Sequence, residues 1–148
     1  MGTTVSPKQV EVLLVEDSPT DILMTQEALE QGNLGINLHV VEDGVEAVAF
    51  LRRTGPYGGA SRPDLILLDW NLPRKNGREV LAEVKDDKDL KTIPIVVLTT
   101  SQAERDILTA YSLHANCYIT KPVNFQDFIY VIHAIAGFWL TVVTLPSS

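Results

Sequence analysis

Five short apolar runs, each followed by a helical stripe, alternate along this chain, and most of the runs close on a polar or charged residue. Val10–Val15, broken by Glu11, ends at Glu16-Asp17 and reads as a buried strand. Ser18-Pro19 then opens a helix carrying Ile22, Leu23, Ala28 and Leu29, which Gly32 to Gly35 ends. Residues 38–41 form the second strand, and Asp43-Gly44 turns into a helix with Val45, Val48, Ala49 and Leu51. That helix stops before the breaker-rich Gly55-Pro56-Tyr57-Gly58-Gly59. Leu65–Leu68 is the third strand and ends at Asp69; Asn76-Gly77 precedes a helix with Val80, Leu81 and Val84, followed by a solvated charged connection over residues 85–91. Residues 95–98 make a fourth strand ending at Thr99, residues 103–113 a fourth helix, and residues 117–119 a fifth strand that leads to Lys121-Pro122. The last helix starts near Asn124. Such alternation predicts an α/β fold, a parallel sheet covered by helices on both faces.

The length of 148 residues suits one domain. An apolar fraction of 45% with 21% charged residues is that of a globular chain, and no apolar stretch approaches the roughly 20 residues that a membrane-spanning helix needs. The first residues show no secretory pattern, and Cys117, as the single cysteine, has no internal disulfide partner. A cytoplasmic location is expected. The net charge of −7 opposes direct contact with nucleic acid, which requires a positive patch.

In an open parallel sheet, ligands gather beyond the C-terminal ends of the strands. Here those ends carry Glu16, Asp17, Asp69 and Thr99, with Lys121 just after the fifth strand. Converging acids repel one another unless a cation intervenes, and an oxygen-only donor set suits Mg²⁺ better than Zn²⁺. His39, His114 and His133 are isolated and show no metal-ligand spacing with Cys117. A carboxylate beside Mg²⁺ can attack phosphorus while a lysine and a hydroxyl neutralise the transferred group; Asp69, Lys121 and Thr99 supply those parts. Each residue alone is commonplace at a strand end. Their joint occurrence at successive strand ends is what carries the reading.

Val15-Glu16-Asp17-Ser18, Asp69-Trp70-Asn71-Leu72-Pro73, Leu98-Thr99 and Lys121-Pro122 resemble the response-regulator receiver domain. The likeness runs from about Val10 to about Phe138. It implies a flavodoxin-like, doubly wound domain of five parallel strands in the order 2-1-3-4-5 with five helices. It implies that Asp69 is the phosphoacceptor, that Asp17, Asp69 and the backbone carbonyl of Asn71 bind Mg²⁺, and that Glu16 acts mainly through a water. Thr99 and Lys121 would contact the phosphoryl group, and Tyr118 stands in the place of an aromatic switch that turns inward as Thr99 moves. A protein of this kind catalyses only its own phosphorylation and dephosphorylation. Two departures stand out: Thr100 where the family often has Ala or Gly, and Glu16-Asp17 in place of two aspartates.

The final helix is more apolar than one core-facing stripe requires. Phe125, Phe128, Ile132, Ile135, Trp139 and Val142 form one stripe; Val131, Ile135, Phe138, Val142 and Leu145 form an offset second. The second stripe needs a further cover, and a homodimer through this helix is the expectation. The organisation expected is a flexible terminus over residues 1–9, a receiver over 10–138, and an extension over 139–148 that takes part in dimerisation. The ending from Phe138 to Pro146 resembles that of response regulators serving cyanobacterial phytochromes, which implies a phytochrome-type sensor histidine kinase as donor. Two other functions fit the same acids: a receiver-like binding module that is never phosphorylated, and a Mg²⁺-dependent phosphatase with an aspartyl nucleophile. The phosphatase needs a general acid two residues after Asp69, where Asn71 stands.

Overall fold

A computed structural model of the chain describes residues 10–32 and 35–139. Five strands and five helices alternate through them: β1 (Val10–Val15), α1 (Pro19–Gly32), β2 (Ile36–Val41), α2 (Gly44–Arg52), β3 (Leu65–Leu68), α3 (Gly77–Asp86), β4 (Ile95–Thr99), α4 (Glu104–Ser112), β5 (Cys117–Thr120) and α5 (Phe125–Gly137). Every strand pair is parallel, and the sheet order is β2-β1-β3-β4-β5. The order reverses direction at β1, so β1 and β3 lie side by side and their C-terminal ends face a common crevice.

The two faces of the sheet are read directly from the period-2 alternation of β1. Leu13 and Val15 point into a core shared with Ala47, Val48, Phe50 and Leu51 of α2 and with Val80, Leu81 and Val84 of α3. Val12 and Leu14 point the other way, onto Ala28 and Leu29 of α1 and onto Phe128, Ile132, Ile135 and Ala136 of α5. Being covered on both sides, β3 is buried at every position, as its uninterrupted apolar run requires.

Polar residues start the helices where the sequence placed them. The Asp43 carboxylate accepts from Glu46 N at 2.8 Å to cap α2. Asn76 and Glu79 form a reciprocal capping box on α3. Asn124 accepts from Gln126 N and Asp127 N to open α5.

Some boundaries and surfaces differ from expectation. β2 starts two residues earlier, at Ile36, because its pairing with β1 begins at Val10↔Ile36. Lys85, expected in a solvated connection, lies within α3; its ammonium donates to Lys91 O at 3.2 Å, Ile93 O at 3.1 Å and Asn116 Oδ1 at 3.3 Å. Desolvation pushes the Lys85 ammonium down from its ordinary pKa. On α5, Phe128, Ile132 and Ile135 are buried as one stripe, whereas Phe125 at its head is 49% exposed. Val131 and Trp139 pack at the edge of the same core, and Phe138 is 54% exposed, its ring edge-on to Trp139. Val142 and Leu145, and with them most of the expected extension, lie outside the described residues.

Candidate functional site

β1 and β3 deliver the acids. The Asp69 amide bonds to Val15 O at 3.0 Å, which continues the β1–β3 pairing one residue past the strands and sets Asp69 beside Glu16. One carboxylate oxygen from each of Glu16, Asp17 and Asp69 lies within 4.8 Å of the others. Glu16 and Asp69 are buried, while Asp17 is exposed. Glu16 Oε2 accepts from the amides of Asp17 and Ser18, both at 3.1 Å, so the strand-to-helix turn holds it inward.

β4 and β5 bring Thr99 and Lys121 to the same edge of the sheet. Thr99 is fully buried at the end of β4, and its carbonyl accepts from the Lys121 amide at 2.7 Å. The Lys121 side chain is 5% exposed and meets three carboxylates: it donates to Glu16 Oε1, donates to Asp21 Oδ2 at 2.8 Å, and lies 3.5 Å from Asp69 Oδ2. Burial alone would push this ammonium down; the bonds to Asp21 and Glu16 and the charge of Asp69 outweigh it and raise its pKa. Burial, reinforced by the charge of Asp69, pushes Glu16 up to about 7 against the opposing pull of Lys121. Carboxylates crowded this closely gain from a hard divalent cation, and their all-oxygen donor set suits one that keeps several waters.

A second set of contacts leads away from Thr99. The Ser101 amide donates to Thr99 Oγ1 at 3.4 Å, the Ser101 hydroxyl donates to Asp106 Oδ2 at 2.6 Å, and the Tyr118 hydroxyl donates to Ser101 O at 2.9 Å. Tyr118 is partly buried with its ring edge-on to Trp70, the residue after Asp69. Trp70, Asn71, Arg78 and Arg105 line an adjoining cleft of about 530 Å³. Thr100 is exposed.

The acids and the lysine singled out from the sequence thus converge, and Thr99 closes β4 at the same edge of the sheet. Asp21 was not among them, although it stands in the first turn of α1, the helix end that faces the strand termini. Gly77 was also missed as a site residue. Its amide donates to Trp70 O at 2.9 Å, and a Cβ there would lie 2.4 Å from the Asp69 carbonyl oxygen and 2.7 Å from Trp70 Cα. Gly77→Ala must push the Asp69-Trp70 backbone aside, and a stability loss of about 1–3 kcal/mol is expected in urea unfolding.

The response regulator receiver domain family model matches residues 12–133. The chain belongs to that family. Among individual proteins, it is 49% identical to response regulator Rcp1 of Synechocystis sp. over 148 residues, the full length of both chains. It is 38% identical over 129 residues to a probable methanogenesis regulatory protein, FilR2, of Methanothrix harundinacea, covering 87% of this chain and 83% of that one. The crystal structure of the phosphorylated cyanobacterial phytochrome response regulator RcpA superposes with a TM-score of 0.92 at 52% identity, over 95% of this chain and 100% of the other. The Mn²⁺-bound form of Rcp1 gives 0.90 at 50% identity, over 93% and 99%. The fold expected from the family resemblance, including its strand order, is the one observed.

Proposed function

We propose that this chain accepts a phosphoryl group from a phosphohistidine of a sensor histidine kinase onto Asp69, with Mg²⁺, and signals by changing its protein contacts. The observation that carries this reading is the meeting of Glu16, Asp17, Asp69, Thr99 and Lys121 beyond four strand ends, with Lys121 bridging the acids of β1 and β3. Asp69 supplies the attacking oxygen. The bond from its amide neighbour, Trp70 N to Asp69 Oδ1 at 2.8 Å, orients the carboxylate and leaves Oδ2 facing Lys121. Glu16, Asp17 and Asp69, with the carbonyl of Asn71, would hold the Mg²⁺, which when bound neutralises charge on the phosphoryl oxygens. Lys121 and Thr99 stabilise the charge that arrives with the group.

The switch follows from the contacts around Thr99. Drawing its hydroxyl toward a phosphoryl oxygen disturbs Ser101, and through Ser101 O the bond that holds Tyr118. Tyr118 then packs inward and reshapes the α4–β5–α5 face, a population shift driven by contacts made only with the phosphoryl group. The chain acts on no external substrate. Its work is cytoplasmic, and no helix among the described residues is long and apolar enough to cross a membrane.

The similarity to Rcp1 and RcpA supports a phytochrome-type kinase as donor. Homodimerisation through α5 and its extension, over Val131, Phe138, Trp139, Val142 and Leu145, is supported by the exposed Phe138 ring and by the apolar sequence that follows it. Truncation after Gly137 is expected to leave a folded monomer in analytical ultracentrifugation; a dimer of undiminished affinity would defeat this part of the proposal. The central test is intact mass after incubation with acetyl phosphate. A gain of one phosphoryl group only in the presence of Mg²⁺ is expected, and no gain from either acetyl phosphate or a cognate kinase would favour a binding module instead.

A further inference from the structure

Lys121 stands between acids that face competing claims. Glu16 and Asp69 belong to the carboxylate trio that offers one oxygen each within 4.8 Å of the others, so a divalent cation would draw on the same two carboxylates that face the ammonium. Asp21 is outside that trio. Its carboxylate accepts a hydrogen bond from the Lys121 ammonium at 2.8 Å, and its backbone is anchored at both ends: its amide donates to Ser18 Oγ at 3.3 Å, and its carbonyl accepts from the Thr25 hydroxyl at 2.8 Å. Thr25 is itself 1% exposed, so the hydroxyl that holds the Asp21 carbonyl is buried.

We propose that Asp21 is a positioning residue for phosphoryl acceptance: it holds the Lys121 ammonium beside Asp69 when a divalent cation takes up Glu16 and Asp69. The proposal rests on the receiver reading above. During transfer from acetyl phosphate, an Asp69 oxygen bonds to phosphorus as the bond from phosphorus to the acetate oxygen breaks, and the electron pair leaves with acetate. Lys121 keeps its protons throughout and contributes charge in the right place. Without Asp21, the ammonium has one fewer fixed partner and spends less of its time in that place.

Charge and position make opposite predictions here. Removing a carboxylate by charge alone would ease the approach of an anionic donor and speed the reaction. Loss of positioning slows it. The experiment is the second-order rate constant for phosphorylation by acetyl phosphate at saturating Mg²⁺, read by intact mass. It compares the parent, Asp21→Asn, Asp21→Ala, Lys121→Ala and the double Ala variant, each checked for an unchanged melting curve. Asp21→Ala is expected to slow the reaction by about fivefold or more, with Asp21→Asn in between, and to cause no further slowing once Lys121 is gone. The same cycle in beryllofluoride affinity, followed by tryptophan fluorescence, serves if the Lys121 variants react too slowly to time. An unchanged or faster Asp21→Ala, or equal slowing with and without Lys121, would overturn the proposal. A parent chain that neither gains the phosphoryl mass nor binds beryllofluoride would instead sink the receiver reading, an outcome visible before any variant is made.

Discussion

Asp69→Asn is expected to abolish phosphoryl gain altogether while leaving the chain folded. The substitution keeps side-chain shape and an oxygen that can accept from Trp70 N, the bond now made at 2.8 Å. It removes the anionic oxygen that attacks phosphorus, and an amide oxygen is a far weaker nucleophile. The variant also relieves repulsion, because Asp69 is one of the causes that raise the Glu16 carboxyl. Lys121 keeps Glu16 and Asp21 as partners. Intact mass with acetyl phosphate and Mg²⁺ should therefore show no shift, alongside a melting temperature at or above that of the parent. Phosphorylation of the variant at the parent's rate would mean that the acceptor lies elsewhere.

The largest stability effect is expected at Phe128→Ala. Phe128 is 2% exposed and sits on the α5 face that meets Val12, Leu14, Leu65 and Leu67 of the sheet, among the largest fully or nearly fully buried side chains of the fold. Deleting such a ring costs about 3–5 kcal/mol through lost transfer energy and the cavity left behind. Domains of this size hold only about 5–15 kcal/mol in total, so urea midpoints should fall steeply. Phe125→Ala, one turn earlier on the same helix but 49% exposed, is expected to change stability by about 0.5 kcal/mol or less. Equal losses at the two positions would show that α5 does not pack as described. The contrast matters for the site because α5 follows directly on the turn that carries Lys121.

Much of this protein could be read from its residues. The apolar run of β3, bounded by Asp64 and Asp69, has no amphipathic face to offer solvent, so it must lie in the middle of a covered sheet. The same periodicity sorts Val12 and Leu14 from Leu13 and Val15 before any coordinates are known. Because parallel strands all point one way, the residues that close them are bound to share one edge, which is why Glu16, Asp17, Asp69, Thr99 and Lys121 were legible as a set.

Tertiary structure alone decided what depends on the third dimension at ångström scale. No periodicity marks Asp21, whose partner is 100 residues away and is reached only because the Lys121 side chain extends from the turn after β5 to the first turn of α1. Gly77 looks like a helix-start glycine until the Asp69 carbonyl is found where its Cβ would be. Phe125 and Phe128 carry the same apolar signal three residues apart, yet only the second is covered, because burial depends on where the helix first touches the sheet. Sequence determined which residues meet, since strand direction and side-chain alternation are local properties of the chain. Packing decided which of them hold one another, since distance and desolvation exist only once the helices are laid on the sheet.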